Sequence, residues 1–163
     1  LENLREFRRA DSPNKRHALF QSAPEAWLES VLRKNIKLLD ANLILSPVYH
    51  QFRAERDKID LLALRKDGRL VIIELKVAPD REMIFQAADY WRKIEKLRRT
   101  GSLQKSKIFG DLEISDAPTI CYLVAPTLSF HRDFEYLKKV ITREFEIHRF
   151  NLAENWSENF HIL

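Results

Sequence analysis

Apolar residues recur at Leu28, Val31, Leu32, Ile36 and Leu39, the three-and-four spacing of one helix face. Ser22-Ala-Pro24-Glu25 has the form of a capping box, so a helix is predicted from there to about Leu39. The period then changes. Leu43 to Phe52 is predicted as a first strand, with Pro47 marking an edge or a bulge. Two apolar runs, Lys58 to Leu64 and Leu70 to Val77, flank Asp67-Gly68, the strongest short-range hairpin signal. Helical period returns after Asp80, the predicted N-cap of a long helix ending near Arg99. Its core stripe is Ile84, Ala87, Ala88, Trp91 and Ile94. Residues 100–118 read as a polar loop punctuated by Gly101, Gly110 and Pro118. Thr119 to Val124 is predicted as a central strand, 130–142 as a helix capped by Ser129, and Glu144 to Phe150 as a last strand. No pattern places the tail with Trp156 and Phe160. This order predicts an α/β domain: a mixed sheet with helices on both faces, and a right-handed crossover from the Glu74 strand to the Thr119 strand.

Composition narrows the class. The chain has 163 residues, 45% hydrophobic and 32% charged, enough for one domain with a substantial core. Residues 1–21, with Arg5, Arg8, Arg9, Lys15 and Arg16, read as a basic arm, and residues 22–163 as a single domain. A net charge of +4 permits nucleic-acid binding without demanding it. One cysteine, Cys121, cannot form an intramolecular disulfide, so a cytoplasmic, intracellular protein is expected. No apolar segment is long enough to cross a bilayer, no signal-peptide pattern is present, and no membrane partner is expected. The start at Leu1 leads us to expect a trimmed chain. The five histidines lack metal-ligand spacing, and there is no Gly-rich phosphate loop, GxSxG or cysteine-pair zinc signature.

The chemistry lies in the hairpin. Two ionisable residues, Glu74 and Lys76, interrupt its second apolar run and point to the same side of the strand. Charge inside an apolar strand costs desolvation energy unless it is paired or holds a metal. Asp60, at the start of the preceding strand, comes alongside once the hairpin closes. Two carboxylates and a lysine at one end of a hairpin suit a hard divalent cation with an activated water. The bland alternative is a surface hairpin with a salt bridge of little value. The Leu70-Val-Ile-Ile run and Leu75 argue against an exposed strand.

Asp60 followed by Glu74-Leu75-Lys76 on a hairpin resembles the core of the PD-(D/E)XK nuclease superfamily, with its restriction-endonuclease-like fold. Gln86-Ala-Ala-Asp-Tyr90 resembles the Gln-x-x-x-Tyr motif of its RecB-like and archaeal flap-endonuclease branches. The helix from Glu25 to Leu39 is similar to the family's first core helix, which supplies one more acid. Together these cover roughly residues 22 to 150. One departure is Ile59, where proline is common.

The resemblance implies a three-layer α/β/α fold with a central mixed sheet of about five strands. It also implies magnesium-dependent hydrolysis of nucleic-acid phosphodiesters, with manganese as substitute and DNA as the expected substrate, in repair or defence. Asp60, Glu74 and the Leu75 carbonyl would hold the metal, and Lys76 would orient or help deprotonate the water. Gln86 and Tyr90 would line the site. The helix acid is left open between Glu25 and Glu29, with a slight lean to Glu25, which equally fits the capping box on Ser22. Phosphate contacts are expected from Arg53, Arg56 and Lys58, and from Lys93, Lys96 and Arg99, although such clusters are as often solvated faces. Two rivals stand: an inactive nuclease-like module that binds DNA or docks a partner, and a nuclease acting on RNA. Strandedness, endo or exo cleavage, sequence preference and pathway are open, as is the choice between a homodimer and a separate specificity partner.

Overall fold

In the computed structural model, which describes residues 24–46, 59–141, 143–156 and 160–163, alternation and period sort the chain into three layers. Five strands form the central sheet: β1 (Leu43–Leu45), β2 (Leu61–Arg65), β3 (Leu70–Leu75), β4 (Ile120–Pro126) and β5 (Glu146–Leu152). They lie in the order β1-β2-β3-β4-β5. The first three are antiparallel, and β4 and β5 run parallel to β3. The sheet is therefore mixed, as expected.

The hairpin closes as predicted. Gly68 sits at φ 82°, a region that glycine enters without steric cost. Its carbonyl accepts from the Ser115 N–H at 2.8 Å, and a Cβ there would come within 3.1 Å of the Glu113 carbonyl oxygen. Only glycine lets the turn pack this closely against that loop.

Helices α1 (Pro24–Lys34), α2 (Ile36–Leu39), α3 (Met83–Arg99), α4 (Ser102–Lys105) and α5 (Phe134–Val140) cover the sheet. Side chains alternate between faces along each strand. One face, with Leu62, Leu64, Leu70, Ile72, Cys121 and Leu123, packs under α3 and α5. The other, with Leu61, Ala63, Val71, Ile73, Tyr122 and Val124, packs on α1 and α2.

Several boundaries differ from the sequence reading. The first helix breaks at Asn35, whose side-chain amide and backbone N–H both turn back onto the Val31 carbonyl. The first strand is only three residues long, and its predicted continuation falls outside the described residues, as do the arm, Ser22 and the hairpin's opening residue Lys58. The long helix begins at Met83, three residues after the predicted cap. Asp80 instead accepts the Glu82 N–H at 2.8 Å, a turn that leads into the helix. The stretch 100–118 is more than a polar loop: α4 lies within it, and Leu103, Ile108 and Phe109 are buried in the core. Ser129 ends a 3₁₀ turn, Thr127–Ser129, and does not cap α5. The tail returns to the α1 side, where Trp156 stacks on Trp27 at 4.8 Å and Ile162 bridges to Leu152.

A buried carboxylate ties α3 to β4. Glu95, 3% exposed, accepts from the Thr119 N–H and hydroxyl at 2.8 and 2.6 Å and from Arg98 at 2.8 Å. Burial would raise its pKa, but hydrogen bonds from Arg98 and Thr119 outweigh burial and hold it at about 2. Glu95→Gln keeps the shape and removes the charge. Chemical denaturation should show it less stable by roughly 2–4 kcal/mol at pH 7, because buried guanidinium and hydroxyl donors lose an ionised acceptor. The ionised Glu95 stabilises the fold fully above the unfolded pKa near 4.5 and loses that effect as pH falls towards about 2. The difference between variant and wild type should shrink over that window.

Candidate functional site

The pairing of β2 with β3 ends at Leu61 and Ile73. Beyond it, β3 continues two residues without a β2 partner, and Asp60 occupies the gap. Its Oδ2 accepts the Leu75 N–H at 2.9 Å. In extended backbone, the N–H and C=O of one residue leave on the same edge. The Leu75 carbonyl is therefore directed to the Asp60 side, while the Lys76 N–H bonds to the Val124 carbonyl of β4 at 3.1 Å.

Glu74 follows Leu70 and Ile72 on the face under α3. It is 3% exposed, and its Oε2 is buried with no hydrogen-bond partner among the described residues. Lys76 Nζ lies 3.6 Å from the other oxygen, Oε1, and 3.4 Å from Asp80 Oδ2. Burial, then repulsion from Asp60, raises the Glu74 pKa to about 8, against the pull of Lys76. For Lys76, burial works against the charge, but Glu74, Glu25 and Asp80 prevail and raise its pKa. Lys76 is thus an ammonium at neutral pH.

These groups open into a cleft of about 550 Å³ lined by Glu25, Asp60, Glu74, Lys76, Phe85, Gln86, Asp89 and Tyr90. One turn of α3 separates Gln86 from Tyr90, so both reach the same cleft. The structure therefore brings together the hairpin acids, the lysine, the helical pair and Glu25. Glu29 does not line the cleft; Arg33 lies 3.5 Å from it. Of the expected phosphate-binding residues, Arg53, Arg56 and Lys58 fall outside the described residues. Lys93 is 2.6 Å from Asp89 and 6.0 Å from the Tyr90 ring centre, at the cleft margin. Lys96 and Arg99 border a separate depression of about 510 Å³ beside Trp91, where Arg99 binds Glu95 and Glu144.

Three cleft-side residues escaped the sequence reading. Asp80 has the helix-like i,i+4 spacing from Lys76 but lies beyond the strand, where that spacing carries no expectation. Asp89 was legible in principle, since Arg92 and Lys93 follow at three and four residues and both pair with it. Phe85 lies off the core stripe and gave no signal.

Among the described residues, no three His, Cys, Asp or Glu side chains group to hold a metal by themselves. The donor set nevertheless fits a magnesium-like ion. Such an ion retains several waters and needs only one or two carboxylates from the protein. Asp60, Glu74 and the Leu75 carbonyl supply hard oxygen donors, and the unpartnered Glu74 Oε2 is a buried acceptor that a cation would satisfy.

No protein-family profile matches the sequence, and no curated protein matches it. Two solved structures are similar in fold. One is the crystal structure of a repair endonuclease from Pyrococcus abyssi, with TM-score 0.49 and 17% identity over 76% of this chain and 45% of that one. The other is EndoMS in complex with double-stranded DNA, with TM-score 0.51 and 17% identity over 76% of this chain and 43% of that one. The chain spans less than half the length of either. At this identity the likeness establishes the fold, a mixed α/β sheet shared with EndoMS, and leaves activity to the site.

Proposed function

We propose that this domain is a PD-(D/E)XK nuclease that hydrolyses phosphodiester bonds, with DNA as substrate and a divalent cation, magnesium or manganese, as cofactor. The observation that carries this reading is the buried Glu74 Oε2, without a hydrogen-bond partner among the described residues, beside Asp60 and the Lys76 ammonium, all opening into one cleft. A stable fold has little use for two carboxylates so placed: their repulsion costs energy that only a cation or a proton relieves. DNA as partner is supported by the fold shared with EndoMS, which is seen on double-stranded DNA.

Asp60, Glu74 and the Leu75 carbonyl would be the ligands of that cation. When bound, the cation supplies Lewis acidity towards phosphate and a water of lowered pKa. The chain's own residues do the rest. Lys76 stays protonated, so it acts as a cation: it orients the attacking water and offsets charge gathering on the phosphate oxygens. Gln86 and Tyr90 offer an amide and a phenol to hold the phosphate or water in line. Glu25, at the cleft mouth, adds an outer acceptor. Lys93, Lys96 and Arg99 lie along α3 and would follow the backbone away from the cut, giving affinity without sequence readout.

The rival is a nuclease-like module that keeps Lys76 and Glu74 as a structural ion pair. Metal separates the two. Calorimetric titration with Mn²⁺ should give binding to the wild type that falls at least tenfold in Asp60→Ala and Glu74→Ala and persists in Lys76→Ala. Absence of Mn²⁺ binding by the wild type would favour the module.

A further inference from the structure

We propose that Phe85 is a specificity-determining residue, stacking its ring on an unpaired nucleobase beside the phosphate to be cut; the proposal rests on the nuclease reading above. Every other large apolar residue in the first half of α3 is turned inward: Met83, Ile84 and Trp91 are all buried. Phe85 is 41% exposed and lines the cleft. A single exposed ring on an ordinary surface needs no explanation. This one shares a cleft with four carboxylates, Lys76, Gln86 and the Tyr90 ring.

The second ring of the cleft, Tyr90, has Lys93 near its face. Among the described residues, Phe85 makes no ring or cation contact, and 41% of its surface is exposed. A nucleobase is the part of a nucleic acid that such a face recognises. Stacking tolerates any base and requires no charge, so it works beside acidic groups that repel phosphate. In a duplex, both faces of an internal base are already covered by its neighbours. Phe85 can therefore stack only on a base in single-stranded DNA, at a frayed end, or extruded from the helix. Arg92 and Lys93 lie two turns further along the same helix and would take the phosphates that follow. The residue thus favours substrates with an unpaired nucleotide next to the cut.

The test is equilibrium binding of a single-stranded oligonucleotide carrying 2-aminopurine at successive positions, and of its blunt duplex, with Ca²⁺ replacing Mg²⁺. The wild type, Phe85→Ala and Phe85→Trp are compared. The wild type should quench 2-aminopurine at one position of the single strand. Phe85→Ala should lose that quench and bind the single strand about tenfold more weakly, as expected for one stacked base. Its affinity for the blunt duplex should stay within about twofold, and Phe85→Trp should retain quench and affinity. Phe85 lies outside the core, so the alanine variant should fold normally. Unchanged single-strand affinity in Phe85→Ala, an equal loss on duplex, or a persisting quench would overturn the proposal while leaving the nuclease reading intact. Failure of the wild type to bind either oligonucleotide would overturn both, and it is recognised without reference to any variant.

Discussion

Lys76→Ala is expected to lower metal-dependent cleavage by about 10²–10³-fold, the range for losing one positioned donor that stabilises developing charge. The geometry sets this expectation. Lys76 Nζ lies 3.6 Å from Glu74 and opens into the same cleft. Its raised pKa keeps the charge through the neutral range, so the loss should appear in kcat and persist across pH 6–9. Metal affinity should survive, or rise, because an ammonium beside the acids competes with a cation. Single-turnover kinetics under saturating Mn²⁺ would separate the two effects. A fall in cleavage that excess Mn²⁺ restored would mean that Lys76 serves only to organise the carboxylates.

The second large effect is on stability. Without metal, the folded protein holds a proton on Glu74 up to about pH 8, whereas the unfolded chain releases it near 4.5. Between those values the folded state binds more protons, so stability falls as pH rises through the window, and the whole penalty is present above it. Glu74→Gln removes the titration. The metal-free variant should match the wild type near pH 4 and exceed it at pH 9 by on the order of 5 kcal/mol. Mn²⁺ should close the gap by stabilising the wild type alone, because a cation takes the place of the proton. Thermal denaturation of both proteins across pH, with and without Mn²⁺, measures this. Equal pH dependence in the two would show that Glu74 is not the group under strain.

The hairpin and the placement of its charged residues were legible because the signals there are local and agree with one another. Asp67-Gly68 sets the turn, the alternation of β3 puts Glu74 and Lys76 on one face, and an apolar context turns two charges into a question about partners. The fold class followed from the order of periods, and the mixed sheet shared with EndoMS agrees. Part of what failed to be legible was set by contacts distant in sequence. Residues 100–118 look polar on average, yet Leu103, Ile108 and Phe109 bury themselves against the α3 side of the sheet. The break at Asn35 leaves the apolar stripe intact on both sides, so periodicity alone runs through it. Glu25 and Glu29 share a helix face, one turn apart. Glu25 reaches the cleft, and Glu29 stops beside Arg33. Asp80 has the sequence signature of a cap, and the sequence gives no means of seeing Lys76 turn towards it.

That the Asp60, Glu74 and Lys76 cleft cuts nucleic acid with the help of a divalent cation is the proposal on which the rest depends. It is tested most directly by incubating the wild type with linear duplex, supercoiled, single-stranded and flapped DNA and with RNA, in Mg²⁺ or Mn²⁺, beside EDTA and Lys76→Ala controls. Cleavage of at least one DNA substrate is expected, abolished both by EDTA and by the substitution. Cleavage that survives Lys76→Ala, or none on any substrate with either metal, would contradict it.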